Sequence, residues 1–264
     1  MNDFDLVRKN LFRRKLRATL MIVSILIAFM WQLVQAIEGI AEACLALDVP
    51  ITGGNVSLYN ETDGKAIYPT PIIGVVGVIE RAERGQTRAF KAADHAIVLL
   101  GEDRGELGGS EYLKVVHGLV RGDAPALDLA REAALLKVVT GAASEGLLRS
   151  AHDCSDGGIA VTLAECCFDT GGTGATVELH GPEGAVELFS ESASRIVVSV
   201  KASNEAALLA RAAAAGVPAR RIGTTGGSRL EISVHGQKTI DVAVAAAEQV
   251  WSTALEQYFK RAVA

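Results

Sequence analysis

From His95 to the C-terminus, short apolar or β-branched runs alternate with amphipathic and alanine-rich runs, and glycine or proline marks many of the changes. That alternation admits few architectures, because every strand face and helix stripe must be buried against another element. Strands are expected at His95–Gly101, Ser150–Ser155, Ala175–Leu179 and Ser194–Val200, the last two on their β-branched content. Arg229–Val234 and Thr239–Val242 should form a hairpin around His235-Gly236. Helices are expected at Leu127–Ala143, Ile159–Phe168 and Glu205–Ala215, the last stopped by Gly216 and Pro218, because apolar residues recur there at helical spacing. A final helix carries Trp251, Leu255, Tyr258 and Phe259 on one face. The class is α/β, arranged in α+β layers.

The stretch before His95 has a different character. Trp31–Leu47 reads as a helix with Trp31, Val34, Ile37, Ala41 and Cys44 on one face, and Pro50 disfavours its continuation. Asp48–Thr62 is turn-prone, and Ile72–Ile79 reads as a buried strand. Gly53 and Gly54 allow close approach of a ligand to the backbone, or a positive φ. Asn55, Ser57, Asn60 and Glu61 offer donors and acceptors suited to a hard cation and a phosphorylated ligand. A turn kept only for its shape would use the same residues. Arg81–Lys91 is polar and is the candidate linker.

Three further segments attract attention. Leu107-Gly-Gly-Ser-Glu-Tyr112 lacks the lysine of a phosphate-binding P-loop and reads as a helix entry capped by Ser110. In His152–Gly158, Ser155 or Asp156 is placed as a helix N-cap, and Gly157 and Gly158 would present backbone N–H groups that attract phosphate. His152 and Asp153 look like an acid–base pair, yet neighbours on a strand point to opposite faces. Glu191-Ser192-Ala193-Ser194-Arg195 is a polar lead into a buried strand, in which Arg195 either pairs with Glu191 or meets a ligand.

Composition excludes some functions. The 264 residues can bury a sizeable core. A net charge of −5 lacks the basic field of a general nucleic-acid binder. Cys44, Cys154, Cys166 and Cys167 form no metal-ligand spacing with the histidines and read as free, reduced thiols. At the start, six basic residues within positions 1–17 precede Ala18–Ile37, twenty residues without a charge. About 20 apolar residues span a bilayer, so a membrane helix through residues 18–37 is one expectation. The strongly apolar part, Leu20–Trp31, is shorter than that, so a soluble helix packed on a sheet is the other.

Four blocks in order carry a resemblance. Gly54–Glu61 with Ile67–Pro71, Leu107–Tyr112, Ala151–Gly158 and Leu188–Arg195 closely resemble the large synthetase subunit of the phosphoribosylformylglycinamidine synthase family. The resemblance runs from about residue 31 to the C-terminus and covers only the C-terminal part of that synthetase. It implies an AIR-synthase-like N-terminal domain tail over residues 31–91 and an AIR-synthase-like C-terminal domain over residues 92–264. It implies a cytoplasmic purine-biosynthetic ligase that uses ATP and Mg2+ to convert formylglycinamide ribonucleotide into its amidine, with ammonia from a glutaminase subunit. By the same resemblance Gly54 lies against ATP, Asn55 helps hold Mg2+, and Ser57 contacts the substrate. Asp156, Gly157, Gly158, Glu191 and Ser192 would line a second, non-catalytic pocket.

The family's catalytic histidines, main acidic metal ligands and nucleotide lysine have no counterpart in this chain, so it is expected to be inactive alone. Without the preceding strands, Ile72–Ile79 should expose apolar surface. A nucleotide-binding or assembly module that pairs with a separate N-terminal half is the alternative. Residues 1–29 look like the start of an FtsX-like transporter permease, which would make residues 1–30 foreign to the rest and leave a membrane-anchored fragment as another reading.

Overall fold

The computed structural model describes residues 33–57, 61–67, 70–79, 81–181 and 184–263. The basic segment 1–17, most of the uncharged run 18–37, Trp31 and Asn60 lie outside these residues. Among the described residues no helix is long and apolar enough to cross a membrane; the membrane helix expected at residues 18–37 falls mostly outside them. The chain divides into two units between Gly77 and Val78.

In the first unit, helix α1 covers residues 33–47. Asp48 takes φ 55, and the Val49 N–H closes the helix end on the Cys44 carbonyl at 3.0 Å. Two-residue strands β1 (Glu61–Thr62) and β2 (Lys65–Ala66) pair antiparallel around Asp63-Gly64. Both turn residues have positive φ, 52 and 73, which is the tight-hairpin geometry favoured by Asp-Gly. The buried strand expected at Ile72–Ile79 is not formed. That segment has no ladder partner, and Ile72 and Val76 are 96% and 95% exposed. A strand gains its stability from neighbours, and this apolar run stays open to solvent.

The second unit is built on a seven-stranded sheet of order β4-β6-β3-β7-β5-β8-β9. Its strands are β3 (His95–Leu100), β4 (Leu148–Asp153), β5 (Ala175–Leu179), β6 (Ile196–Lys201), β7 (Ala219–Thr225), β8 (Arg229–Val234) and β9 (Gln237–Ala243). β5 and β8 are parallel, and the other pairs are antiparallel. All six residues of β3 are buried, which explains its unbroken apolar reading. Its alternation serves two cores. Ile97 and Leu99 join a cluster with Ile159 and Leu163 of α4 (Gly158–Cys167), Leu188 of α5 (Ala185–Phe189) and Val244 of α7 (Val244–Val263). Ala96, Val98 and Leu100 join Leu135 and Val138 of α3 (Leu129–Ser144) and Leu208 and Ala212 of α6 (Ala202–Ala214). Helices therefore cover both faces.

Two boundaries differ from expectation. The segment read as a linker, Arg81–Lys91, is packed: Phe90 is buried, its N–H bonds the Cys166 carbonyl, and Thr87 accepts from the Ala151 N–H on edge strand β4. On α7, Leu255, Tyr258 and Phe259 are exposed, while Trp251 packs on Phe168 and donates its indole N–H to Glu165. The apolar face of that helix is thus only partly used.

Candidate functional site

The first candidate segment lies in the first unit. Residues 51–57 are exposed and irregular, which puts Gly54, Asn55 and Ser57 at the surface. Neither Gly53 nor Gly54 has positive φ, and a Cβ added to either meets nothing within 4 Å. The turn therefore does not need glycine for its own conformation or packing. What glycine offers here is an uncovered backbone that another molecule can approach. Asn55 supplies a side-chain amide oxygen of the hardness Mg2+ prefers. Among the described residues there is no group of three or more His, Cys, Asp or Glu that could hold a metal. The residues present thus fit Mg2+ as one contribution to a ligand set rather than a whole one.

The second candidate cluster lies around the segment Glu191–Arg195, which enters β6. Arg195 does not pair with Glu191. Its guanidinium donates to Asp103 Oδ2 at 2.9 Å, to the Ser190 carbonyl at 2.6 Å and to the Ser192 carbonyl at 3.0 Å. Asp103 follows β3 and also accepts from the Ser190 hydroxyl at 2.7 Å. Buried Ser192 accepts from the backbone N–H groups of Arg104 and Glu106, at 3.2 and 3.4 Å. Ser192 is thereby committed to the loop after β3.

Glu191 has a different task. Its Oε1 accepts from the Gly157 N–H and from the Glu111 N–H, both at 2.8 Å. Gly157 is the N-cap of α4, with φ 80, and Glu111 opens α2 (Glu111–His117). One carboxylate thus satisfies part-buried donors at the starts of two helices, where negative charge is favoured. The capping expected of Ser155 or Asp156 is not observed. Ser155 donates instead to Asp153, and Asp156 stays exposed. Gly157 holds the cap position in a conformation that suits glycine, and the anion comes from Glu191, 34 residues away. Ser110 does cap α2, accepting from the Leu113 N–H at 3.3 Å.

His152 and Asp153 are brought together at the end of β4, with Nδ1 to Oδ1 at 3.2 Å. His152 Nε2 meets Glu165 Oε2 at 2.8 Å, and Trp251 donates to the other oxygen of Glu165. Both ring nitrogens are thus occupied within the fold. Burial pushes the thiol of Cys154 up to about 11 and that of Cys167 up to about 12, so neither is a thiolate nucleophile near neutral pH. Sequence reasoning missed Glu187, whose side chain is 1% exposed and lies 3.6 Å from Arg220. Its place in the apolar-looking Val186-Glu187-Leu188 gave no signal of burial.

The C-terminal domain of AIR synthase related proteins matches residues 92–235, more than half of the chain. The chain belongs to the AIR synthase related family. The family's N-terminal domain matches residues 16–79. That match begins inside the stretch read as permease-like and runs across the junction placed near residue 30, so the permease resemblance gains no support. Among curated relatives, the phosphoribosylformylglycinamidine synthase subunit PurL of Thermobifida fusca is 49% identical over 231 residues, 87% of this chain and 30% of the relative. The PurL of an Anaeromyxobacter species is 46% identical over 244 residues, 89% of this chain and 31% of the relative. The chain thus spans about 30% of the length of the curated relatives it matches. Solved structures of T. maritima PurL complexed with FGAR and with ATP superpose with TM-scores of 0.56 and 0.52 at 20% and 19% identity. Each covers 64% of this chain, and the chain covers 30% and 28% of them. At that identity they show the shared fold.

Proposed function

We propose that residues 31–264 act as the C-terminal portion of a phosphoribosylformylglycinamidine synthase. The observation that carries this is the 49% identity to a PurL over 87% of the chain. In that reaction ATP phosphorylates the amide oxygen of formylglycinamide ribonucleotide. Ammonia then adds at the activated carbon and expels phosphate, leaving the amidine, ADP and phosphate. A glutaminase partner supplies the ammonia.

This chain's contribution is the Gly54–Ser57 edge. The uncovered Gly54 backbone lies against ATP, the Asn55 amide oxygen completes a Mg2+ ligand set drawn mainly from elsewhere in the synthetase, and Ser57 holds the substrate. Bound Mg2+ would neutralise nucleotide phosphate charge, and the chain's own residues position the reactants. The segment's exposure supports this division of labour, because it leaves the Gly54 backbone and the Asn55 side chain open to another molecule. The pocket of Asp156, Gly157, Gly158, Glu191 and Ser192 is read as a joint in the fold, since Glu191 already satisfies the Gly157 N–H. The chain alone is inactive.

The test is a chimera in which residues 31–264 replace the matching portion of the Thermobifida fusca PurL. Retained ammonia- and ATP-dependent amidine formation, lost on Asn55→Ala, is the expected result. A well-folded chimera with no turnover, or one indifferent to Asn55→Ala, would overturn the assignment.

A further inference from the structure

The second unit holds a cavity of about 230 Å³ on the side of the sheet covered by α3 and α6. Its apolar lining includes Ala130, Ala134 and Leu135 of α3 and Val217. An apolar cavity of about 150 Å³ is already large enough for a benzene ring, so this one has room for a ring with a small substituent. Arg104, Arg131 and Glu102, all exposed, also line the cavity and form its solvent rim. Arg131 is loosely held: its Nη1 is 3.9 Å from Glu102 Oε2 and its Nε is 3.5 Å from Asp128 Oδ2. Arg104 Nη1 reaches the Ala126 carbonyl at 3.4 Å. Contacts of that length between exposed groups contribute little, so a carboxylate arriving at the rim can replace them. A guanidinium fork receives a planar carboxylate through two parallel N–H donors.

We propose that this cavity binds a small planar carboxylate, with its ring or short apolar body against Ala134 and Leu135 and its carboxylate on Arg104 and Arg131. Ala193 and Ser194 line the cavity as well. Ser194 stands at φ 61, and its hydroxyl donates to Glu132 on α3 at 2.5 Å. Glu191 and Ser192, three and two residues earlier, face the loop after β3 and the starts of α2 and α4. A ligand in the cavity therefore touches the rear of the segment that ties those elements together. The site is independent of the Gly54–Ser57 edge and uses only residues of the second unit.

The test is ligand-observed saturation-transfer NMR on the full chain, with benzoate as the probe and benzamide as its neutral counterpart. Benzoate should give a saturable signal, and benzamide should bind about tenfold more weakly, the equivalent of one lost charged contact. Ala134→Phe, which fills the apolar part, should abolish the signal with the circular dichroism spectrum retained. Should that variant misfold, Arg104→Gln with Arg131→Gln alters only the exposed rim and should bring benzoate down to the level of benzamide. A benzoate signal that rises linearly without saturating, or one unchanged in the rim variant, would overturn the proposal.

Discussion

Arg195 Nη1 lies 2.9 Å from Asp103 Oδ2, and the two side chains are 0% and 3% exposed. The pair joins the loop after β3 to the start of β6 across 92 residues of sequence, and Ser190 and Ser192 fill most of the remaining hydrogen-bonding capacity. A buried pair costs both ions their hydration, so its net value is modest while it is intact. Removing one partner leaves the other charge uncompensated. Asp103→Ala should therefore cost about 3–5 kcal/mol, read from urea denaturation. Converting both residues to apolar ones, Asp103→Leu with Arg195→Met, should recover much of that loss. An additive double variant would mean that the pair is not the unit that matters.

Glu191 holds the starts of α2 and α4 through a single oxygen. Glu191→Ala should cost about 1–3 kcal/mol, the expected range for leaving sheltered donors without a partner. Hydrogen exchange should accelerate at the Glu111 and Gly157 amides before it does so in β3. Unchanged protection at both amides would show that water replaces the carboxylate at no cost.

Burial, and then the neighbouring charge of Asp103, push the Glu187 carboxyl above its ordinary 4.5, and Arg220 offsets part of this. The folded chain thus binds this proton more tightly than the unfolded chain does. The resulting stabilisation is fully present below 4.5 and is lost as pH rises through the raised folded value. Once ionised, the buried carboxylate is a net burden. Glu187→Gln should accordingly raise Tm at pH 7, and the advantage should shrink toward pH 4 in a calorimetric series. A lower Tm at pH 7 would mean that the contact with Arg220 outweighs the burial.

At the candidate ligand edge, stability and activity should separate. Asn55 is exposed, and a Cβ at Gly54 meets nothing within 4 Å. Gly54→Ala and Asn55→Ala should therefore change the chain's stability by no more than about 0.5 kcal/mol. In the chimera with PurL the same changes should lower turnover at least about tenfold, the loss of one ligand contact. A stability loss equal to the activity loss would return this segment to a purely structural role.

The layered α/β class was legible because the apolar runs that report it are local. His95–Leu100 is buried on both faces and reads as unbroken apolar sequence, and Ser110 caps the helix that starts beside it. The second site was less legible because its contacts are long-range. The anion at Gly157 comes from Glu191, and the partner of Arg195 comes from Asp103. Local rules propose the nearest candidates, Ser155 or Asp156 for the cap and Glu191 for the arginine, and the fold chooses others. Ile72–Ile79 shows the reverse case, in which a sound local strand signal goes unused: among the described residues no strand pairs with it.

The most direct test is an amidine-formation assay with ATP, Mg2+, ammonia and formylglycinamide ribonucleotide. The purified chain is assayed alone and then mixed with a PurL fragment spanning the portion it does not match. The account predicts no turnover by the chain alone and turnover in the mixture that falls on Asn55→Ala. Turnover by the chain alone would contradict it.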